Sequence, residues 1–387
     1  MFLICSFVGF MLRGMDILPD LPGGQPIKGR GAVSNPTGRF EREVRRRTDD
    51  GWQRAAPDMS PTADAPRPRT HVLVDATRTA LTRNASPDIP FDRSINPYRG
   101  CEHGCVYCFA RPTHAYLGLS PGLDFETRIL AKPDAPRLLA KELSRRAYRC
   151  RPIALGTNTD PYQPMERRLH ITRGILEVLS AFNHPVSIVT KSDAVLADCE
   201  LLADMAARRL AKVYLSVTTL DNELARKLEP RAAAPAKRLA AVRALRDAGI
   251  PAGVMVAPVI PALTDAEMEA ILAAAADAGA TEAGYILLRL PLEVKDLFTE
   301  WLHAHYPDRA RKVLSLVRDT RGGQLNDAAF GRRMRGNGPY AALIAARFEV
   351  AVRRLGLAHE KAREGMTGLD TSRFAPPAPA PRQLALF

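Results

Sequence analysis

The sequence predicts an α/β fold, an incomplete (β/α)6 barrel with a disordered N-terminal arm and a C-terminal tail. Two observations predict it: short apolar runs alternate with longer amphipathic segments, and six such units follow one another. Apolar strands of about five residues that alternate with helices imply parallel pairing, with helices covering the sheet. Six units favour a partial barrel over an open doubly wound sheet. Functional residues are then expected at the carboxyl ends of the strands.

The hydrophobic pattern bounds each of these units. The predicted strands are residues 94–98, 153–157, 186–190, 213–218, 253–257 and 283–288. The predicted helices are residues 135–147, 172–182, 194–210, 236–248, 265–278 and 292–303. The whole chain divides into a disordered basic arm (1–70), the barrel (71–310), a C-terminal helical extension (311–372) and a proline-rich tail (373–387). The arm is predicted to be disordered because it is rich in Gly, Pro, Arg and Asp and has little hydrophobic periodicity.

The charge balance of the chain is strongly positive. It carries 55 Lys and Arg against 42 Asp and Glu, a formal net charge of +13. A cationic surface raises the local concentration of polyanions, so DNA or RNA is an expected partner. The apolar opening stretch, residues 1–12, is too short to span a bilayer and lacks the basic start of a signal peptide. We therefore expect a cytoplasmic protein with no membrane segment.

Three of the six cysteines, Cys101, Cys105 and Cys108, crowd into eight residues. They follow the first predicted strand, and Gly100 and Gly104 allow a tight loop there. Spacings of four and three let one loop present three thiolates to a single [4Fe–4S] cluster, which leaves one iron open. An open iron is what a cluster needs to bind and cleave a ligand, whereas electron-transfer clusters usually have four cysteines.

Two other metal sites stay open as alternatives. A zinc ion could use His103 or His114 as a fourth ligand, although zinc sites usually pair two cysteine knuckles and the sequence has no second one. A structural [4Fe–4S] cluster could take a distant fourth cysteine, Cys150 or Cys199. Cys199 lies within a helical pattern and Cys150 directly before a strand, positions where an ordinary thiol is common.

The cysteine pattern, with the aromatic Tyr107 before the last cysteine, resembles the radical S-adenosylmethionine (SAM) superfamily. The resemblance implies a six-unit partial barrel, a [4Fe–4S] cluster and S-adenosylmethionine as cofactors, and reductive cleavage of that cofactor to a 5′-deoxyadenosyl radical. Two stretches, residues 94–100 (SINPYRG) and 156–164 (GTNTDPYQP), resemble the branch grouped with spore photoproduct lyase. Residues 29–32 and 35–41 also resemble a bacterial subgroup of that branch.

The resemblance also implies which residues contact S-adenosylmethionine. Tyr107 is expected at the adenine, Asn158 and Asp160 at the ammonium group, and Ser216 and Thr218 at the ribose hydroxyls. These last four residues lie at the ends of predicted strands, where a barrel carries its site.

The sequence departs from the lyase at two places. The hydrogen-donating cysteine expected near the second strand is absent from Gly156-Thr157-Asn158, and Phe109 follows the third cluster cysteine where a tyrosine hydroxyl is expected. The resemblance therefore carries over the activation chemistry, and no catalytic residue is assigned.

Three functions remain as hypotheses. The first is a lyase-like radical SAM enzyme acting on nucleic acid, as in DNA repair, and the second is one acting on a small molecule or protein. The third is a non-catalytic iron–sulfur redox sensor or nucleic-acid-binding protein. An enzyme of this class needs a reductant such as flavodoxin or ferredoxin.

The final pentapeptide, Gln383 to Phe387, resembles the motif that binds the bacterial sliding clamp. Its apolar side chains would fill a pocket on the clamp, and Gln383 would fix the register by hydrogen bonds.

Overall fold

A computed structural model describes residues 26–42, 68–359 and 368–377. Its strands, in chain order, are β1 (His71–Val74), β2 (Leu81–Arg83), β3 (Arg93–Ile95), β4 (Tyr98–Arg99), β5 (Arg128–Ala131), β6 (Ile153–Leu155), β7 (Val186–Thr190), β8 (Ala211–Ser216), β9 (Ala252–Val259), β10 (Glu282–Leu287) and β11 (Ala358–His359). The main sheet has eight strands in the spatial order β11-β10-β9-β8-β7-β6-β3-β2.

Helices follow most of the parallel strands. They are α1 (Leu123–Thr127), α2 (Ala135–Leu143), α3 (Glu166–Leu169), α4 (Ile171–Ala181), α5 (Cys199–Ala207), α6 (Asn222–Leu228), α7 (Pro235–Asp247), α8 (Met268–Asp277), α9 (Val294–His305), α10 (Pro307–Asp319) and α11 (Gly338–Arg354). Short 3-10 helices cover Arg111–Leu117, Asp193–Asp198 and Asp265–Glu267.

The main sheet is parallel from β3 through β11, and β2 pairs antiparallel to β3. Sequential parallel strands joined by helices give the (β/α) arrangement, in which the helices cover the sheet. The six predicted strands correspond to β3 and β6 to β10, and the predicted fold class is confirmed. The first predicted strand is shorter than expected, because Pro97 has no amide hydrogen for the ladder and β3 ends at Ile95.

The core lies between the sheet and its helices. Strands β7 and β8 are buried along nearly their whole length, as strands covered on both faces must be. The fully buried side chains of Ile188, Val213, Leu215 and Val254 pack there against apolar faces of the helices. Burying a side chain of this size stabilises the fold by roughly 1.5–3 kcal/mol, so these strands hold the carboxyl edge of the sheet in place.

A second sheet was not predicted from the sequence. It has the order β1-β5-β4, with β1 parallel to β5 and β4 antiparallel to it. Both strands carry short apolar runs, at residues 72–74 and 129–131, but β1 is exposed along its length and neither strand belongs to the repeating strand–helix units. This sheet lies beside the cysteine loop, because β4 precedes that loop and β5 follows α1.

The prediction of a disordered arm over residues 1–70 is wrong for residues 26–42. Ala32 and Val33 are buried, and the backbone amides of Gly31 and Ala32 donate to the Glu126 carboxylate. The arm is held by hydrogen bonds to a distant side chain, which leave no hydrophobic periodicity in the sequence. Residues 43–67 lie outside the described part of the chain.

The C-terminal boundaries also differ from the prediction. Helix α10 begins at Pro307, before the predicted extension at 311, because proline suits the first turn of a helix. Phe374, placed in the predicted tail, packs instead against the rings of Tyr148, Phe182 and His184. Across the described residues, none of the helices combines the length and apolar character that crossing a membrane requires.

Candidate active site

The cysteine loop leaves the sheet just after β4. The amide of Cys101 donates to the Phe125 carbonyl at 3.0 Å, which ties the start of the loop to α1. The loop turns at Gly100 (φ +83°) and Gly104 (φ +67°), conformations that favour glycine. A Cβ on Gly100 would lie 2.8 Å from the Phe125 carbonyl oxygen, so the turn excludes a side chain.

The buried side chain of Arg111 holds the backbone of this loop in place. Its guanidinium is fully buried and donates to the carbonyls of Cys105 (2.9 Å) and Gly104 (3.1 Å). The same group forms a buried ion pair with Glu126 at 2.5 Å. A planar guanidinium with five donors can hold several carbonyls at once, so Arg111 sets the path of the loop.

Glu126 joins the loop to the arm. Its carboxylate accepts the amides of Gly31 (3.0 Å) and Ala32 (2.8 Å) as well as the ion pair from Arg111. A Cβ on Gly31 would lie 1.8 Å from the Gly104 carbonyl oxygen, so the arm passes in direct contact with the cysteine loop. The arm is therefore part of the structure that supports the three cysteines.

The three thiols of the loop lie close enough to influence one another. Cys101 and Cys105 are buried, and Cys108 is half-buried. Burial raises the pKa of the Cys101 thiol well above its usual value, and the neighbouring carboxylate and thiols add to the shift. Burial likewise raises the pKa of Cys105 to about 12. Buried thiols of this kind gain most from an iron cluster, because metal ligation supplies the positive charge that stabilises the thiolates.

The other candidate ligands named from the sequence have different surroundings. Cys150 precedes β6, at the amino edge of the sheet, and Cys199 is the first residue of α5. His114 is buried with Nε2 3.1 Å from a backbone carbonyl oxygen, and His103 Nδ1 lies 3.3 Å from Asp160. Within the described ranges, no three His, Cys, Asp or Glu side chains converge on a single metal ion. Ligation of a cluster by Cys101, Cys105 and Cys108, each on a separate iron, stays a prediction.

A buried network connects three of the residues predicted to contact S-adenosylmethionine. The Tyr107 hydroxyl donates to the Glu229 carboxylate, and the Thr218 hydroxyl donates to the same carboxylate at 2.6 Å. Arg238 pairs with Glu229 at 2.5 Å and donates to the Ser216 carbonyl at 2.9 Å. The structure thus brings Tyr107, Thr218 and the Ser216 backbone together around one ion pair.

Asp160 and Asn158 have different surroundings. Asp160 accepts bonds from the Thr190 hydroxyl (2.7 Å) and the Lys191 amide (2.8 Å), and His103 lies 3.3 Å away. Burial raises the pKa of this carboxyl, but His103 and the hydrogen bonds outweigh it and lower the pKa to about 2. Asn158 is exposed, and its backbone N–H donates to the side-chain oxygen of Asn96. Contact of Asp160 or Asn158 with the ammonium group stays a prediction.

Sequence reasoning missed Lys191, Glu229 and Arg238. Lys191 directly follows β7, and its Nζ lies 5.9 Å from the Tyr107 ring centre. Burial lowers its pKa, but the nearby Cys105 and Glu229 groups outweigh burial and raise it. Lys191 could have been found from its place at a strand's carboxyl end, whereas the buried Glu229–Arg238 pair leaves no local signal in the sequence.

Two arginines and an aromatic ring lie near Cys108, and we call this surface of Phe109, Arg289 and Arg333 the mouth. Arg289 lies two residues after the end of β10, and its guanidinium lies 4.2 Å from the centre of the Phe109 ring. Burial and the nearby Arg333 lower the pKa of Arg289 to about 10. Arg333 pairs with Asp88 at 2.6 Å, whereas Arg289 has no ion-pair partner among the described residues.

A family model described as the radical SAM superfamily matches residues 95–275. An uncharacterized protein of Mycobacterium tuberculosis is 40% identical over 232 residues, which cover 59% of this chain and 68% of that protein. This chain belongs to the radical SAM superfamily. An uncharacterized protein of Methanocaldococcus jannaschii is 29% identical over 174 residues, covering 45% of this chain and 62% of that protein.

Solved structures share the fold of this radical SAM protein. A point mutant of spore photoproduct lyase gives a TM-score of 0.54 at 19% identity, covering 74% of this chain and 80% of that chain. A double mutant of the lyase with bound AdoMet and dinucleoside spore photoproduct also gives 0.54, at 18% identity and the same coverage. At these identities the similarity shows the fold, which is the one predicted from the cysteine pattern and the flanking motifs.

The protein is thus a radical SAM enzyme, and its cofactors are a [4Fe–4S] cluster and S-adenosylmethionine, as predicted. The superfamily prediction is confirmed. The individual ligand assignments are tested by neither the family model nor the shared fold, so they are carried forward as proposals.

Proposed function

We propose that this enzyme is lyase-like and acts on a nucleic acid, whose phosphate and base bind at the mouth beside Cys108. The observation that carries the proposal is Arg289, a half-buried cation stacked on Phe109 with no ion-pair partner in the described part of the chain. Partial burial of a cation without an ion-pair partner is costly, so such a group favours a ligand that brings negative charge. Phe109 is 41% exposed and offers a ring face on which a base can stack.

In this proposal Cys101, Cys105 and Cys108 hold the cluster. When bound, the cluster and S-adenosylmethionine supply the 5′-deoxyadenosyl radical that abstracts a hydrogen atom from the substrate. The chain's own contribution is to hold the loop rigid through Arg111 and Glu126 and to keep Cys101 and Cys105 away from bulk water.

The residues around the network provide complementary groups for S-adenosylmethionine. Lys191 is a cation that suits the carboxylate of the methionine part, and Asn158 an amide that suits its ammonium group. Tyr107 presents a ring for the adenine. Ser216 ends β8 and Thr218 follows it by two residues, where ribose hydroxyls are expected. Asp160, whose oxygens are engaged by the protein, positions the loop after β6 and completes the ammonium site by its charge.

The chemistry after radical formation differs from that of a lyase with a hydrogen-donating cysteine. Thr157 and Asn158 follow Gly156 at the end of β6, and Cys150 lies before that strand. Phe109 has no hydroxyl hydrogen to transfer. We therefore propose a nucleic-acid lyase reaction in which Cys150, Thr157, Asn158 and Phe109 do not return a hydrogen atom.

The first experiment tests radical chemistry. The protein is reconstituted anaerobically with iron and sulfide, reduced with S-adenosylmethionine present, and assayed for 5′-deoxyadenosine by chromatography. We expect the product from the intact protein and none from Cys101→Ala, Cys105→Ala or Cys108→Ala, with Cys199→Ala as the matched control. Product formation that survives all three substitutions would overturn the cluster assignment.

The second experiment tests the nucleic-acid substrate. Binding of DNA and RNA oligonucleotides is measured against salt for Arg289→Gln and for Arg311→Gln, an exposed arginine of α10. We expect Arg289→Gln to weaken binding and to reduce the salt slope by about 1, while the control changes little. Equal affinities for the two variants, together with 5′-deoxyadenosine formation that no oligonucleotide changes, would favour a small-molecule or protein substrate.

The proposal also includes two protein partners. Phe374 anchors the chain before the proline-rich stretch, since its ring packs on Tyr148 and the Ala375 amide donates to Phe182. This anchor supports the sliding clamp as partner of Gln383 to Phe387, which lie outside the described residues. Replacing Leu386 and Phe387 by alanine should abolish binding of purified clamp, whereas Pro379→Ala should not.

Cluster reduction requires a one-electron donor, for which flavodoxin or ferredoxin remains the proposed class. We also propose a cytoplasmic location. A reducing compartment suits the five free cysteines of the described chain.

A further inference from the structure

A cavity of about 290 Å³ opens on the outer side of the cysteine loop, separate from the network around Tyr107. It lies between that loop and the segments that follow β6, β7 and α6. Its lining residues are His103, Tyr162, Pro164, Arg167, Ser192, Asp193, Ala232 to Ala234, Arg231 and Lys237. Lys191, Thr218 and Glu229 do not line it, so the residues proposed to bind S-adenosylmethionine face another space.

The N-terminus of α7 borders this cavity. Ala234 is the N-cap residue and cannot accept a hydrogen bond with its side chain, and Pro235 occupies the first position. The first-turn amides of this 13-residue helix therefore have no side-chain acceptor at the cap. Helix N-termini with uncapped amides favour anions, because both the N–H groups and the helix dipole attract negative charge.

Cationic side chains surround the same space. Arg231, Arg167 and Lys237 line the cavity, against a single lining carboxylate, Asp193. Lys237 approaches Asp193 only to 3.9 Å, and Arg231 forms an ion pair with Glu102 at 2.7 Å. Arg167 is exposed at the rim and has no ion-pair partner among the described residues. The lining keeps an excess of positive charge after these pairs are formed.

A second observation, independent of the helix, comes from His103. This imidazole lines the cavity and is only 2% exposed. Its Nδ1 lies 3.3 Å from Asp160 and is buried without a hydrogen-bond partner in the described ranges. A buried imidazole without a satisfied hydrogen bond is unusual in a folded protein, and an oxyanion in the cavity that this ring lines would give it an acceptor.

We propose that this cavity binds a phosphate group, held by the first turn of α7, Arg231, Lys237 and His103. The volume of the cavity holds a phosphate together with part of an attached sugar. Two sources share this chemistry: the backbone of a bound nucleic acid, or free phosphate or a nucleotide. The first source rests on the proposed function, whereas the second is independent of it.

The position of the cavity gives the site an electrostatic effect on the cluster. His103 lies between Cys101 and Cys105 in the loop, and its backbone carbonyl accepts the Arg231 amide at 3.2 Å. Negative charge brought close to an iron–sulfur cluster disfavours adding an electron. Phosphate in the cavity therefore shifts the reduction potential of the cluster to a more negative value.

The test measures binding of inorganic phosphate to the reconstituted protein by calorimetry in a chloride buffer. The variant Arg167→Gln/Lys237→Gln removes two cations, and Arg168→Gln, an exposed neighbour that does not line the cavity, is the matched control. We expect the double variant to weaken phosphate binding at least about tenfold and the control to match the unmodified protein. In a redox titration monitored by EPR, phosphate should lower the reduction potential of the cluster in the control variant and leave it unchanged in the double variant.

A second arm distinguishes the two sources. If nucleic-acid phosphate is the natural ligand, the double variant binds an oligonucleotide more weakly than the control, and inorganic phosphate competes with that oligonucleotide. If free phosphate or a nucleotide is the ligand, oligonucleotide binding is equal in both variants while phosphate binding differs. Equal phosphate affinity in the double variant and the control overturns the site. Because none of these readouts needs turnover, that failure is distinct from a failure of the proposed function.

Discussion

Replacing Gly31 by alanine tests whether the arm supports the cysteine loop. The new Cβ would lie 1.8 Å from the Gly104 carbonyl oxygen and 3.3 Å from the Val106 amide nitrogen. Both are backbone atoms of a loop that Arg111 already holds, so the arm must lift away. We expect this displacement to break the two hydrogen bonds that the backbone amides of Gly31 and Ala32 donate to Glu126.

The size of the effect follows from those bonds. A hydrogen bond to a charged group contributes about 1.5–3 kcal/mol, so losing two costs about 3–6 kcal/mol. At about 2–4 °C per kcal/mol for a large domain, the lower end corresponds to a fall in Tm of about 6–12 °C. Loosening the loop should also let iron leave the protein sooner.

The assay combines thermal unfolding of the apoprotein with the rate of iron loss to a chelator after reconstitution. Gly29→Ala is the control, because a Cβ on this neighbouring arm glycine would meet nothing within 4 Å. Gly29 has a positive φ (+78°) and Gly31 does not, so the control adds backbone strain of its own but no collision. If Gly31→Ala unfolds and loses iron as Gly29→Ala does, the arm does not support the loop.

Three further predictions concern buried charges and thiols. Glu229→Gln leaves Arg238 without its buried partner and should lower the free energy of unfolding by about 3–5 kcal/mol in urea titrations, and a loss below 1 kcal/mol would contradict this. Burial lowers the pKa of His184 to about 4 from 6.5, so its contribution to stability is complete above pH 6.5 and declines towards pH 4. His184→Gln should remove up to about 3 kcal/mol of that pH dependence, measured by urea unfolding at several pH values. In the apoprotein, half-buried Cys108 should react with thiol reagents before buried Cys105, and mass spectrometry of labelled peptides would reveal the opposite order.

The sequence allowed prediction of features that repeat or that lie at fixed places in a fold. Strands β7 and β8 were predicted because fully covered strands need continuous apolar runs, and these are visible locally. The cysteine loop was predicted because its three ligands are only seven residues apart. Thr218 and Ser216 were predicted from a resemblance that places site residues at strand ends, and the structure brings both near Tyr107.

Features made by distant partners were not predictable in the same way. The pair of Glu229 and Arg238, and the contact of Gly31 with Glu126, each join single residues without a periodic pattern. The arm looked disordered because its stabilisation comes from backbone amides, which every sequence has. Strand β1 was missed because its exposed residues pair through the backbone with β5, and a four-residue run gives little pattern.

The arm also constrains the order in which this protein can fold. Ser34 donates to Glu300 on α9 at 2.5 Å, across 266 residues of sequence, and Arg39 pairs with Glu293 at 2.7 Å. The arm leaves the ribosome first, yet its binding surface is complete only after α9 has been synthesised. Until then the cysteine loop lacks its outer cover. Synthesis therefore leaves an interval in which the loop is accessible to iron–sulfur delivery, and that interval ends when the arm docks.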